Sequence, residues 1–249
     1  PLIASDQYVT ELAKYLKGNL KPTLNVNIEL GNETWNTAGG FCCFRQLVDH
    51  FCGDDWGCHQ RWPAKRLKTV VDIFAAQFGW DEINNRIRAI LCGQSGYGGY
   101  GDGWSIGKSM DYMEETYGQE SIGKYFYAVG ATNYVSVPDI APVEACHQEV
   151  IRTITVDKFG EYCDEVTGGG YHVGNQYEGW LAKAGQYGLK MYAYEGGPHP
   201  DWDITDNQHK AITDPGFVEV MASLLIKWYN RFGYDALMYF FGSSIDPKQ

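Results

Sequence analysis

Long apolar runs are missing from this 249-residue chain. Nowhere do eighteen apolar residues follow one another, so no segment reads as a membrane-spanning helix. Positive charge is scarce. Twenty Lys and Arg stand against 31 Asp and Glu, a formal net charge of −11 with pI near 4.9. That balance leaves no basic face for nucleic acid and disfavours an anionic membrane surface. There is no C-x-x-C pair, and the six His do not complete a zinc-ligand spacing, so no metal site is expected. The loop 95–103 holds five glycines and two tyrosines. With no G-x-x-x-x-G-K-[ST] and no G-x-G-x-x-G set against the right helix, it is not expected to cradle a nucleotide. No nucleophile elbow is read for Ser/His/Asp hydrolysis. The amino terminus, PLIASDQYV, shows neither an initiator Met nor the layout of a signal peptide.

What is present is a globular composition. Hydrophobic residues make up 44%, with 30 Gly, 8 Trp, 18 Tyr and 11 Phe, enough to bury a substantial core. The aromatic excess and acidic charge suit a neutral, hydroxyl-rich partner that stacks on rings. Seven cysteines sit at 42, 43, 52, 58, 92, 146 and 163. Four of them crowd into 42–58, which predicts at least one disulfide and an oxidising, extracellular compartment; buried cytosolic thiols are the competing account. Cys92 falls inside a strand and is expected to be free. The odd count leaves one cysteine free or paired outside the chain. The single N-x-[ST] sequon, Asn32-Glu33-Thr34, is not expected to carry a glycan if it lines a site.

Apolar spacing alternates between two periods. Helices are predicted over Asp6–Leu16 (capped by Ser5 or Asp6), Pro63–Phe78 (opened by its proline), Ser105–Tyr117, Val143–Glu165, Gly174–Tyr187 and Pro215–Phe232. Within the fourth, VIRTITV also fits a strand. Strands are predicted at 24–30, 87–92, 125–131, 190–195 and 236–241, as short apolar runs buried on both faces. Strands separated by helices define parallel βαβ units with right-handed crossovers. A barrel and an open doubly wound sheet both read this way. No repeat or linker interrupts the chain, so 1–249 is expected to form a single domain.

Two strands end alike. NIELGNETWN at 27–36 leads from an apolar run to Asn32 and Glu33, and LKMYAYEGGPH at 189–199 ends its apolar run on Glu195. Ligands of α/β sheets gather beyond the carboxyl ends of the strands. Two carboxyl groups about 5 Å apart can cleave a glycosidic bond with retention, one as nucleophile and one as acid and then base. An isolated glutamate in such a place is more often a helix cap or the partner of an Arg; two in matching contexts argue otherwise.

NVNIELGNETWN resembles the fourth strand, and KMYAYEGG the seventh, of the clan A glycoside hydrolases, retaining enzymes of (β/α)8 TIM-barrel fold. The resemblance implies that this chain spans about the fourth to eighth strands. It implies Glu33 as acid/base, Glu195 as nucleophile and Asn32 as donor to the substrate's 2-hydroxyl. Tyr134 would orient Glu195, and no metal or organic cofactor is required. The tryptophan that usually ends the eighth strand is replaced in ALMYFFGSS by Phe240 and Phe241. Trp35, Trp104 and Trp202 lie in candidate site-side loops where indoles can stack on sugar rings. Gln94, His172 and His199 stand near strand ends, within reach of hydroxyls.

The expectation is a secreted glycosidase acting on a β-linked poly- or oligosaccharide. The competing expectation is a non-catalytic glycan-binding or structural extracellular protein on a hydrolase-like barrel. Five barrel strands leave open edges, so about three further βα units are expected before Pro1, in the same polypeptide or on a partner chain. A complete open α/β domain is the other possibility.

Overall fold

The computed structural model describes residues 4–31, 58–93, 104–155, 182–199 and 204–232. Along these residues run α1 (Asp6–Asn19), β1 (Val26–Ile28), α2 (Cys58–Phe78), a 3-10 turn (Trp80–Glu82) and β2 (Ile87–Cys92). They continue with α3 (Trp104–Tyr117), α4 (Glu120–Tyr125), β3 (Ala128–Ser136), α5 (Val143–Thr155), β4 (Lys190–His199), α6 (Asp206–Thr213) and α7 (Phe217–Phe232). Residues 182–186 are also helical. The expected last strand, 236–241, lies outside the described residues, as does the part of the fourth predicted helix beyond Thr155.

The four strands form one sheet in the order β1-β2-β3-β4. β1 and β2 pair in parallel with Ile28 opposite Ala89, and β2 and β3 pair in parallel with Cys92 opposite Gly130. β2 is buried on both faces: Ile87, Ala89 and Leu91 project one way and Ile90 the other, all at 2% exposure or less. That is the pattern of a strand covered on both sides. Contacts divide the chain into two units. One comprises Pro1–Gln94, Asp102–Gly130 and Ala182–Lys190, and the other Ser95–Gly101, Ala131–Leu181 and Met191–Gln249.

In the first unit α2 is the central helix, packing on α1, α3 and β2. Its Leu67, Val70, Val71 and Phe74 are buried because they recur at helical spacing along one face. α1 begins where Ser5 accepts a hydrogen bond from the Tyr8 N–H at 3.1 Å, the expected cap. Arg86 staples the α1–β1 connection by donating to the carbonyls of Leu20, Lys21 and Leu24 at 2.9–3.0 Å. Among the described residues β1 is an edge strand, shorter than the expected 24–30, with Leu24 48% exposed. Asn25, Asn27 and Glu29 fall at every second position and give it one polar face opposite Val26, Ile28 and Leu30.

Two further differences from expectation have local causes. α2 opens at Cys58, so Pro63 lies inside the helix instead of starting it, at the loss of one backbone donor. Tyr125, predicted in a strand, closes α4, and β3 starts at Ala128. Its ring meets the Trp80 ring edge-on at 5.5 Å and lies under Lys68 Nζ at 4.6 Å, contacts that an aromatic-rich run does not disclose.

In the second unit the end of β3 and the segment after it fasten onto α5, α6 and α7. Val135, Val137, Cys146, Val150, Ile154, Ala211, Phe217, Val220 and Leu224 form one cluster. Its buried polar groups are matched: Gln208 Nε2 donates to the Val137 carbonyl at 2.7 Å, and His147 Nε2 lies 2.8 Å from the Ala211 carbonyl. Gln208 also completes a capping box with Thr205 at the start of α6, a helix not anticipated from the sequence. The ambiguous VIRTIT segment is helical.

Candidate functional site at the strand ends

The carboxyl end of β1 continues through Glu29, Leu30 and Gly31. Asn32, Glu33 and Trp35 lie outside the described residues, as do Gln94, His172 and Trp202. Trp104 is the first residue of α3, Tyr134 lies in the last third of β3, and His199 ends β4. Cys42, Cys43 and Cys52 also fall outside the described residues; Cys92 and Cys146 are free thiols.

Glu195 is on β4, half-buried, at the sixth of ten positions. The residues before it, Met191, Tyr192, Ala193 and Tyr194, are all at most 8% exposed, so the strand carrying this carboxylate is anchored on both faces. The strand was expected to stop at Glu195. It runs on to His199, but Gly197 takes φ 142°, a region essentially confined to glycine. The strand therefore changes course two residues past the carboxylate. The Lys190 N–H donates to the Tyr127 carbonyl at 3.0 Å. A count along both strands from that bond brings Glu195 level with the Thr132–Asn133 segment of β3.

A second constellation, not anticipated from the sequence, lies wholly within the first unit. The register Ile28–Ala89, carried on by one residue, sets Glu29 beside Ile90. Partners in a parallel pair share a face, and so do residues two apart on a strand. Glu29 and Cys92 therefore meet at the strand ends. With Leu30, Gly31, Pro63, Leu67, Ile90 and Leu91 they line a cavity of about 10 Å³, room for one water. Cys92 keeps partial exposure as a residue, yet its sulfur is enclosed. That burial, the charge of Glu29 and a hydrogen bond to its carboxylate push the thiol well above its ordinary value of 9.0. At neutral pH the thiol is protonated and donates to Glu29. The sequence signal was a charged residue interrupting the apolar run NVNIEL; nothing local pointed to its partner.

G-W-S-I-G at 103–107 does fit the letters of the G-x-S-x-G pattern. Ser105, however, is the second residue of α3, thirteen residues past the end of β2, and not on a sharp strand-to-helix turn. Among the described residues no group of three or more His, Cys, Asp and Glu could hold a metal ion, and no helix is long and apolar enough to cross a membrane. Comparison with known protein families, curated proteins and solved structures returned no match for this chain.

Proposed function

We propose that this chain belongs to a secreted retaining glycoside hydrolase that cleaves a β-linked poly- or oligosaccharide. The observation that carries the reading is Glu195, half-buried on a strand anchored on both faces, with the glycine-only bend at Gly197 directly behind it. It is the counterpart of Glu33, which the motif LGNE sets five residues past the end of β1.

In this reading β1 to β4 are the fourth to seventh strands of a (β/α)8 barrel. Their unreversed order supports it. A doubly wound sheet reverses strand order at its switch point and runs only three strands outward on either side. Four consecutive neighbours joined by right-handed crossovers keep their helices on one face, as a barrel requires.

Glu195 attacks the anomeric carbon while Glu33 protonates the departing glycosidic oxygen, leaving a covalent glycosyl–enzyme. Glu33, now ionised, takes a proton from water, whose oxygen displaces Glu195. Asn32 donates to the 2-hydroxyl, a bond that strengthens as positive charge develops on the ring. Tyr134 orients Glu195, and Trp35, Trp104 and Trp202, with Gln94, His172 and His199, line the sugar path.

The test is a panel of activated aryl glycosides. Wild-type protein is expected to turn one over, Glu195→Gln to abolish the reaction, and Glu33→Ala mainly to slow release of the covalent intermediate. Normal turnover by Glu195→Gln overturns the assignment. Glycan binding without turnover by the wild type would instead fit a binding protein.

A further inference from the structure

β4 stays a strand beyond Glu195, through Gly196, Gly197, Pro198 and His199. Gly196 and Gly197 are buried, so this stretch is enclosed and not a frayed end. Gly197 holds φ 142° and stands directly before Pro198. A proline restricts the residue ahead of it, confining an L side chain there to φ near about −120°. Reaching that value from 142° takes a turn of about 100° about the N–Cα bond. Only glycine holds the observed backbone at 197, and Pro198 disfavours a helical alternative. The pair is therefore a fixed corner, roughly 7 Å of strand from Glu195. On its near side Met191 to Tyr194 are buried and leave little room to absorb a displacement. Backbone positions open to glycine alone persist where their surroundings over-determine them, and they cluster at active sites.

We propose that Gly197, locked by Pro198, is a positioning residue for the nucleophile. The corner sets the angle between the part of β4 that carries Glu195 and the part that ends at His199, and so fixes the Glu195 carboxylate against the sugar. The proposal rests on the assignment of Glu195 as nucleophile. A side chain at 197 forces the turn, and with the near side of β4 packed the displacement falls on Glu195 and on the backbone up to His199. An error of about 1 Å in a catalytic group costs on the order of 10²-fold in rate.

The test separates the rate of the covalent step from the fraction of protein that is folded. The probe is the 2,4-dinitrophenyl 2-deoxy-2-fluoro-β-glycoside of the sugar that the wild-type protein hydrolyses. A Glu195 oxygen bonds to its anomeric carbon as dinitrophenolate leaves with the bonding electron pair. The electron-withdrawing fluorine slows the later hydrolysis, so each competent site releases dinitrophenolate once. The amount released counts folded sites, and the rate reports how well the carboxylate is aimed. Gly197→Ala is expected to release dinitrophenolate about 10- to 100-fold more slowly at an unchanged amount per folded protein. A variant that loses amount but not rate, or neither, overturns the proposal. Should Gly197→Ala fail to fold, Pro198→Ala is read in its place, since it adds no bulk and frees Gly197 to leave φ 142°. Slower release then supports the proposal, and an unchanged rate overturns it. A wild-type protein that releases none overturns the Glu195 assignment and the proposal with it, whereas the other adverse outcomes overturn the proposal alone.

Discussion

β1 and β4 begin the two similar stretches NIELGNETWN and LKMYAYEGGPH, and they are built in opposite ways. β1 is three residues of an alternating sequence, with Asn25 and Asn27 exposed and Ile28 buried. β4 is ten residues long, and from Met191 to Tyr194 neither face is open. The glutamate of β4 is thus part of the strand, held by its neighbours' burial. β1 itself is bounded by polar groups: Arg86 at its amino end, and Glu29 beside Cys92 just past its carboxyl end. A strand can be steadied by apolar packing on both of its faces or by polar contacts at its two ends.

The comparison breaks most visibly in the β4 core. Met191→Ala removes a side chain that is 1% exposed and is expected to cost about 2–5 kcal/mol, read as the midpoint of urea unfolding. A cost under about 1 kcal/mol would show that the strand is not the anchor described. Gly197→Ala comes next. At φ 142° a Cβ is strained whatever space surrounds it, and a loss of about 1–3 kcal/mol is expected. If activity falls further than stability does, the bend also aims Glu195; if stability is unchanged, the strand tolerates another course.

The β1 side is probed by pH. The folded state holds the Cys92 proton more tightly than the unfolded chain, because its pKa is raised above 9.0. The resulting stability is full below about pH 9 and is lost as pH rises from there through the folded value, by up to about 1.4 kcal/mol per pH unit. Cys92→Ser should flatten this alkaline limb in a melt series from pH 8 to 10.5, and an identical limb in the variant would assign it elsewhere. The smallest effect belongs to Asn27→Thr on the exposed edge, expected within about 0.5 kcal/mol of wild type. A larger loss in the same urea titration would mean that this edge is more constrained than its exposure implies.

Legibility followed the range of the interactions. β2 lies where its apolar run ends, at Cys92; α3 and the close of α7 fall within a residue of expectation; Ser5 caps α1. All of these depend on side chains within a turn or a few strand residues of one another, and local periodicity and capping chemistry carry that information. The carboxylate of Glu195, on an apolar strand before two glycines, was legible for the same reason.

The rest was decided between distant segments. Tyr125 joins a helix because Trp80 and Lys68 receive its ring. β4 runs past Glu195 because Gly197 bends where another residue would stop. Glu29 acquires a partner because parallel register brings the end of β2 beside the end of β1. The sequence by itself determined the alternation of strands and helices and the placing of Glu195 on an apolar strand. Register and burial, which belong to pairs of segments and not to either one, decided which polar side chains meet.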